Sequence, residues 1–541
     1  MHPEIIEKMK KANQDLTKGL NQKQPENTPS LQETIEKQNE LIAQQAQTIA
    51  NLEETINYLK NKIFGTSSEK RKKSEIEGQQ DFFNEVEVLV DPNLEEPDAE
   101  DILEPTKTRK KKKSRARREE LLGKLPVREV FCDLSEDQKQ CEWCTTHMEL
   151  IGKEYVREEL NVIPAKLERV QIVRKVYSCP KCKEDDTITI VKAETPSPLL
   201  KHSLASPSSV AYIMCQKYVN HMPLHRLEKG FEQEGIYLSR GVMANWVNTT
   251  ALDYLKPIYE RLHEHLVGRG VLMSDETPCQ VLKEDGKPAT SKSYMWVHRT
   301  GEYDEKPIVL YDYRPGRLGV HAADFLSGFS GYHMCDGYAG YNKLKGVIRC
   351  GCFVHLRRYL LESLPQKKSE QHKYPAWKAL AFLDKLFEYE KKFAELTPDE
   401  RKEKRLKLEK PILDDFWCWV DSQDPPSGSM LARAIIYAKN QKVFLMNYLL
   451  DGRCSFSNNA SERSVRPYTQ GRNNYMFHDT PRGAEASAII YSLVETAKAH
   501  NIHIFSYLQV LLRYMSGYKL GSEGIERLMP WSELIQEECK L

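Results

Sequence analysis

The chain has 541 residues, room for about three or four domains, and its 79 Lys and Arg offset 78 Asp and Glu. No run is long and charge-free enough to cross a bilayer and the amino terminus MHPEIIEKMKK lacks an apolar signal core, so a cytoplasmic protein with no membrane partner is expected. Thirteen cysteines, an odd count with four of them in two CxxC pairs, speak against a secreted disulfide framework and for reduced thiols with metal.

Residues 1–30 are polar, and Pro25, Asn27 and Pro29 discourage a helix there. Over 31–64 isoleucine recurs every seventh residue, at Ile35, Ile42, Ile49, Ile56 and Ile63. Leu52 and Leu59 fill the other seam position, which Gln38 and Gln45 occupy earlier. Ile at one seam position with Leu at the other predicts a parallel coiled-coil dimer; a single amphipathic helix packed on its own chain is the alternative.

Residues 65–120 form a charged linker, in which every charge from Asp81 to Pro105 is acidic and every charge from Lys107 to Arg118 is basic. Such segments lack core-forming residues. Arg109, Lys110, Lys111, Lys112 and Lys113 have the charge density that displaces counterions from a phosphate backbone, so nucleic acid is the expected partner. Membrane surfaces and the acidic segment itself compete for that role.

Residues 121–195 carry two knuckles, Cys141 with Cys144 and Cys179 with Cys182. Four thiolates in two CxxC pairs match a closed tetrahedral zinc site, whose metal supplies the folding energy that a small core lacks; a redox dithiol is the alternative. Val170, Ile172 and Val176 alternate, predicting a hairpin that leads into the second knuckle. Over 196–265, after Pro196, Pro198 and Pro207, a helix broken by Gly235 and a second helix capped by Ser239 and ending at Trp246 form a helix-turn-helix-like region. Helix pairs of this kind also occur in cores that never touch DNA.

Residues 266–364 read as a sheet domain. In GVLMSDETPCQV, from Gly270 to Val281, the residues Val271, Met273, Asp275 and Thr277 fall on one face of a strand, so a carboxylate sits where a core residue is expected. A charge cannot stay unpaired in a dry core. Either a cation partner neutralises Asp275, or several acids share a divalent metal with it. Two aromatic and β-branched runs, Tyr294 to His298 and Pro307 to Tyr311, continue an antiparallel meander. A helix over Gly319 to Leu326 and a strand over Gly331 to Cys335 lead to Asp336 at a strand end. Val347 to Val354 follows, then His355 and a basic helix start at Arg357 and Arg358.

Residues 365–452 read as a helical insertion, with a capping box at Thr397 and Glu400 and a long helix from Met430 to Leu450 stopped by Gly452. Residues 453–500 hold the third acid, Glu462, on a short helix that Ser457 or Asn458 can cap and that Pro467 is expected to end. A helical tail over 501–541 completes the chain. Glu462 and Arg466 stand one turn apart, usually only a surface pair. Taken with Asp275 and Asp336, however, the acids form the ligand set that two magnesium ions about 4 Å apart need at a phosphodiester.

At these residues the chain resembles the DDE transposases of the insertion sequence sixty-six family. The resemblance lies in SDET (274–277), CDGYAGY (335–341), SNNASERSVRP (457–467), GRNNYMF (471–477) and YSLVETAKAH (491–500), together with the isoleucine zipper, FGTSSEK (64–70) and the two knuckles. One departure is Ser457, where some members have Asp before the Asn pair. The resemblance implies a multidomain α+β protein with a ribonuclease H-like α/β catalytic core, its acids Asp275, Asp336 and Glu462 binding two Mg2+ or Mn2+ ions beside a structural Zn2+.

Cys352 and His355, in CFVH, resemble a C/D-x-x-H string between the second acid and the third, so His355 joins the catalytic candidates; a buried structural histidine is the other reading. The implied activity is cleavage at transposon ends and strand transfer to target DNA. Arg463, Arg466 and Arg472 are candidates for holding phosphates. The zipper implies a homodimer or higher oligomer, the family implies small accessory proteins, and a bacterial, nucleoid-associated location follows. Two further hypotheses are a zinc and coiled-coil DNA-binding regulator with an inert core, and a metal-dependent nuclease that cuts without joining.

Overall fold

The computed structural model describes residues 167–178, 190–365, 367–517 and 522–540, with six isolated residues between 35 and 45. Ile35 and Ile42 are helical and half-buried. The later zipper positions, the basic run 109–113 and the four knuckle cysteines lie outside the described residues. The chain divides into two compact units, Phe64–Lys175 and the remainder; the elements below belong to the second. Among the described residues no helix is long and apolar enough to cross a membrane.

Strand β1 (Val176–Ser178) pairs antiparallel with β2 (Ile190–Lys192), a shorter hairpin than the alternation predicts. Val170 and Ile172 stay outside it, exposed. Three helices follow: α1 (Pro207–Tyr218), α2 (Leu224–Gln233) and α3 (Arg240–Thr250). Gly235 takes a φ of +78 between α2 and α3, and the Ser239 hydroxyl caps α3 by accepting from the Val242 N–H. The helix does not stop at Trp246. It runs through a wide turn at Ala251–Leu255 into α4 (Lys256–Val267) because Val247, Thr250, Ala251 and Leu255 continue one buried stripe, and Pro257 falls in the first turn of α4, where its missing N–H is tolerated.

A five-stranded sheet then forms in the order β5-β4-β3-β6-β7. Strands β3 (Val271–Gln280), β4 (Lys292–Thr300) and β5 (Val309–Arg314) are the antiparallel meander. After helix α5 (Gly319–Phe325), β6 (Gly331–Met334) returns parallel to β3, and β7 (Val347–Cys350) lies parallel to β6. β3 is therefore central, and its two faces pack differently. Val271 and Met273 join a cluster with Met334, Cys350 and Phe353, whereas Ser274 and Glu276 face the side of Trp296 and His298.

Helix α6 (Phe353–Glu362) leads into a helical block: α7 (Pro375–Phe393), α8 (Pro398–Lys404), α9 (Lys410–Asp421) and α10 (Met430–Met446). Thr397 and Glu400 form a capping box at α8. A buried Arg405 grips Glu390 with two bonds of 2.6 and 2.7 Å inside this block. Arg401 donates to carbonyl oxygens of Phe393, Ala394 and Leu396 at the end of α7, and to that of Gly452, which fastens the block to the segment entering the next helix.

That helix, α11 (Asn459–Tyr475), corrects an expectation, since it continues through Pro467 for two further turns. Proline forfeits one N–H bond of the helix ladder, but contacts with the sheet outweigh the loss. Arg299 donates to the Ala460 oxygen at 3.0 Å and the Ser464 hydroxyl at 3.1 Å, and the Tyr311 hydroxyl donates to the Ser464 oxygen. Helices α12 (Pro481–Ala499), α13 (Ile504–Gly517), α14 (Ser522–Glu526) and α15 (Glu533–Cys539) finish the fold. On α12, the Thr496 and Ser492 hydroxyls accept from the N–H groups of Val309 and Tyr311 at 3.0 and 2.7 Å. The free edge of β5 is thereby covered.

Candidate functional site

Asp275 stands on the central strand, Asp336 just beyond the end of β6, and Glu462 in the first turn of α11. Because β6 lies beside β3 in parallel register, the chain leaving β6 emerges at the level of Asp275. α11 packs across the Asp275 face of β3 and β4, bringing Glu462 to the same place. Asp275 feels both of the other carboxylates. Burial pushes the Asp275 carboxyl up to about 8, with Glu276 adding to it and the charges of Glu462 and Asp336 raising it further. Only the Glu276 N–H, 2.8 Å away, opposes this shift.

No lysine or arginine among the described residues forms an ion pair with Asp275, Asp336 or Glu462. The cation-partner reading of Asp275 is thus not realised there. Glu462 Oε1 is buried with no hydrogen-bond partner among the described residues, and so is His355 Nδ1. A buried carboxylate oxygen without a donor, with two further carboxylates beside it, is what a hard divalent cation satisfies, so the donor set fits such an ion.

His355 lies in the first turn of α6, which begins at Phe353, earlier than its basic residues suggest. Its Nε2 is 3.8 Å from Glu462 Oε1. Burial holds the imidazole below its usual range, while Glu462 pulls the other way. Cys352 Sγ joins them, with the ligand atoms of the three residues all within 4.8 Å of one another. Burial pushes the Cys352 thiol up to about 11, and its sulfur accepts the Asn458 N–H at 3.2 Å. A protonated thiol is a poor ligand for a hard cation, which leaves the carboxylates as the donors.

The basic candidates have different surroundings. Arg463 is exposed and pairs with Glu302 at 2.9 Å. Arg466 is half-buried, its guanidinium drawn down by burial and by Arg463 and held up by Glu462. Arg472 donates to the Thr277 hydroxyl at 3.1 Å and to the Pro278 oxygen, so it binds α11 to β3.

Several residues escaped the sequence reading. Glu276, adjacent to Asp275 but facing the other way, accepts from the Tyr341 hydroxyl at 2.6 Å and pairs with Arg317 at 2.6 Å. Ser274 bridges two buried histidines, His298 Nδ1 at 2.7 Å and His333 Nε2 at 2.8 Å. Burial keeps both rings neutral, His333 down at about 3. The signal was faint: polar residues inside otherwise apolar strands, without any motif spacing.

The family model described as "Transposase IS66 family" matches residues 202–486, which contain all three acids. The zinc-finger binding domain of transposase IS66 matches 138–183, spanning the four knuckle cysteines, and a model described as "Transposase C of IS166 homeodomain" matches 51–130. The uncharacterized protein y4qI of Sinorhizobium fredii (strain NBRC 101917 / NGR234) is 27% identical over 502 residues, covering 90% of this chain and 89% of that protein. The uncharacterized protein y4jD of the same organism is 26% identical over 511 residues, covering 91% and 96%. Among solved structures, the Drosophila P element transposase strand transfer complex matches at a TM-score of 0.32 and 10% identity, over 54% of this chain and 92% of that one. That likeness is too slight to build on.

Proposed function

The chain belongs to the Transposase IS66 family, and from that premise we propose that Asp275, Asp336 and Glu462 are its catalytic acids in a DDE reaction on DNA. The observation that carries the reading is that the buried Asp275 carboxyl feels the charges of both Asp336 and Glu462, with no arginine or lysine paired to any of the three among the described residues. The mixed sheet with the acid-bearing strand at its centre supports a ribonuclease H-like core over 266–364 and 453–500, with 365–452 as a helical insertion.

Two Mg2+ or Mn2+ ions bound by the acids would activate the attacking oxygen and stabilise the leaving one. Water attacks the phosphodiester at a transposon end and leaves a 3′ hydroxyl; that hydroxyl then attacks a target phosphodiester in line, so one bond forms as one breaks. His355, whose Nε2 stands 3.8 Å from Glu462 Oε1, flanks that carboxylate and limits where it can turn. Cys141, Cys144, Cys179 and Cys182 hold a structural zinc, a role supported by the zinc-finger match across them. The isoleucine seam pairs chains so that two ends can be handled together, and residues 109–113 bind the phosphate backbone.

A supercoiled plasmid carrying the element's ends, incubated with protein and magnesium, separates the possibilities. Joined products are expected. Cut products alone would mark a nuclease, and retarded but intact DNA a regulator. Glu462→Gln should remove both products and leave retardation unchanged; if cutting survives, Glu462 is no ligand.

A further inference from the structure

Beside the acids lies an aromatic surface that the reaction described above does not use. Tyr437, on α10, brings its ring within 3.1 Å of the point where a Cβ on Gly337 would stand. Glycine at 337 therefore lets the ring lie against the residue next to Asp336. On its other side Tyr437 packs on Tyr359, with ring centroids 4.7 Å apart and planes tilted by 39°. Tyr359 is 39% exposed. His355, Arg358 and Tyr359 share one face of α6 at spacings of three and four, so the face that begins at Glu462 continues outward into this aromatic pair. Arg433 stands one turn before Tyr437 on α10 and is exposed. Among the described residues neither Arg358 nor Arg433 is paired with a carboxylate.

We propose that Tyr359 and Tyr437, flanked by Arg358 and Arg433, form a stacking platform for an unpaired base of the DNA strand next to the scissile phosphate. The proposal rests on the transposase reading for its substrate and adds the contact that holds the substrate's end. Every base has a π-face that a tyrosine ring can stack on, and guanidinium groups alongside take the phosphates. Tyr437 is half-buried and Tyr359 is left open to solvent, so the pair presents a ring face outward. The platform starts at Gly337, about one or two nucleotide steps from Asp336, each step being about 3.4 Å in a stacked strand. Taking a base out of its stack is unfavourable, and the two rings and two cations offset that cost.

The test is a base-deletion cycle with the full chain and duplexes carrying the element's end, intact or with one abasic nucleotide at successive positions across the cut. At one position the lesion should weaken binding by the wild type roughly 5- to 150-fold, the worth of one stacked base. The same lesion should cost nothing further in Tyr359→Ala or Tyr437→Ala, while Tyr359→Phe and Tyr437→Phe behave as wild type. If the lesion costs the alanine variants as much as the wild type, or no position matters, the platform is overturned although binding and cutting of intact ends keep the transposase reading. A wild type that neither binds nor cuts intact ends overturns that reading, and the platform with it.

Discussion

Asn458 Nδ2 donates to the backbone oxygen of Ser274 across 3.1 Å, joining residues 184 positions apart. The same residue's N–H donates to Cys352 Sγ at 3.2 Å. Asn458 thus ties the start of α11 both to the strand of Asp275 and to the turn before His355, one helical turn from Glu462. Its side chain does not cap the helix it precedes, and its Oδ1 is buried without a hydrogen-bond partner among the described residues.

Replacing Asn458 with alanine should cost about 1 to 3 kcal/mol, because the Ser274 oxygen is left unsatisfied in a buried setting. Cutting should fall by at least about tenfold, more than the loss of folded protein accounts for, since an error near 1 Å at a catalytic group costs about a hundredfold. Thermal unfolding and plasmid cleavage, measured on one preparation, check this. A variant that is destabilised yet cuts at full rate per folded molecule would show that Asn458 does not position Glu462.

The raised Asp275 carboxyl makes a prediction about pH with a definite sign. In the folded chain without metal it keeps its proton up to about 8, whereas in the unfolded chain it loses it near 4. Between these values the folded state binds more protons, so stability falls as pH rises through that window. Glu409, pushed up to about 8 by burial, acts in the same direction, and comparison with Asp275→Asn isolates the first group. That variant cannot ionise at 275, so above about pH 8 and in chelator it should be more stable than the parent by about 1 to 3 kcal/mol. Magnesium competes with the proton and should stabilise the parent more at about pH 8.5 than at about pH 6. Equal magnesium effects at both values would argue against a divalent ion at Asp275.

The candidate acids stand out in the sequence because each breaks a local pattern: Asp275 interrupts an apolar strand, Asp336 ends one, and Glu462 sits in a polar string that resembles a known one. The meander and the capping box at Thr397 were legible for the same local reason. What escaped depends on contacts between distant segments. Pro467 reads as a helix end until Arg299, Tyr311 and Arg472 hold the helix through it. Trp246 reads as a last helical residue until the stripe beyond it finds a core. Glu276 gives no signal of its own, since an acid beside another acid looks like surface until Tyr341 and Arg317 close on it.

Arg472 offers the sharpest contrast between the two levels. By sequence it is a candidate for holding phosphate, yet its guanidinium donates to Thr277 and Pro278 on the strand of Asp275, two and three residues beyond it. A phosphate-binding arginine contributes about one unit to the dependence of the logarithm of affinity on the logarithm of salt concentration. An internal brace contributes none and instead stabilises the fold. Arg472→Ala should therefore lower stability by about 1 kcal/mol, because the buried Thr277 hydroxyl and the exposed Pro278 oxygen lose a charged donor, and leave the salt slope of DNA binding unchanged. Both bonds leave the one nitrogen Nη1, so Arg472→Lys, whose ammonium also carries several donors, should recover part of the loss. Titrations of labelled DNA at several salt concentrations, beside denaturant unfolding, distinguish the roles. A slope that drops by about one unit with stability intact would return Arg472 to the DNA-binding surface.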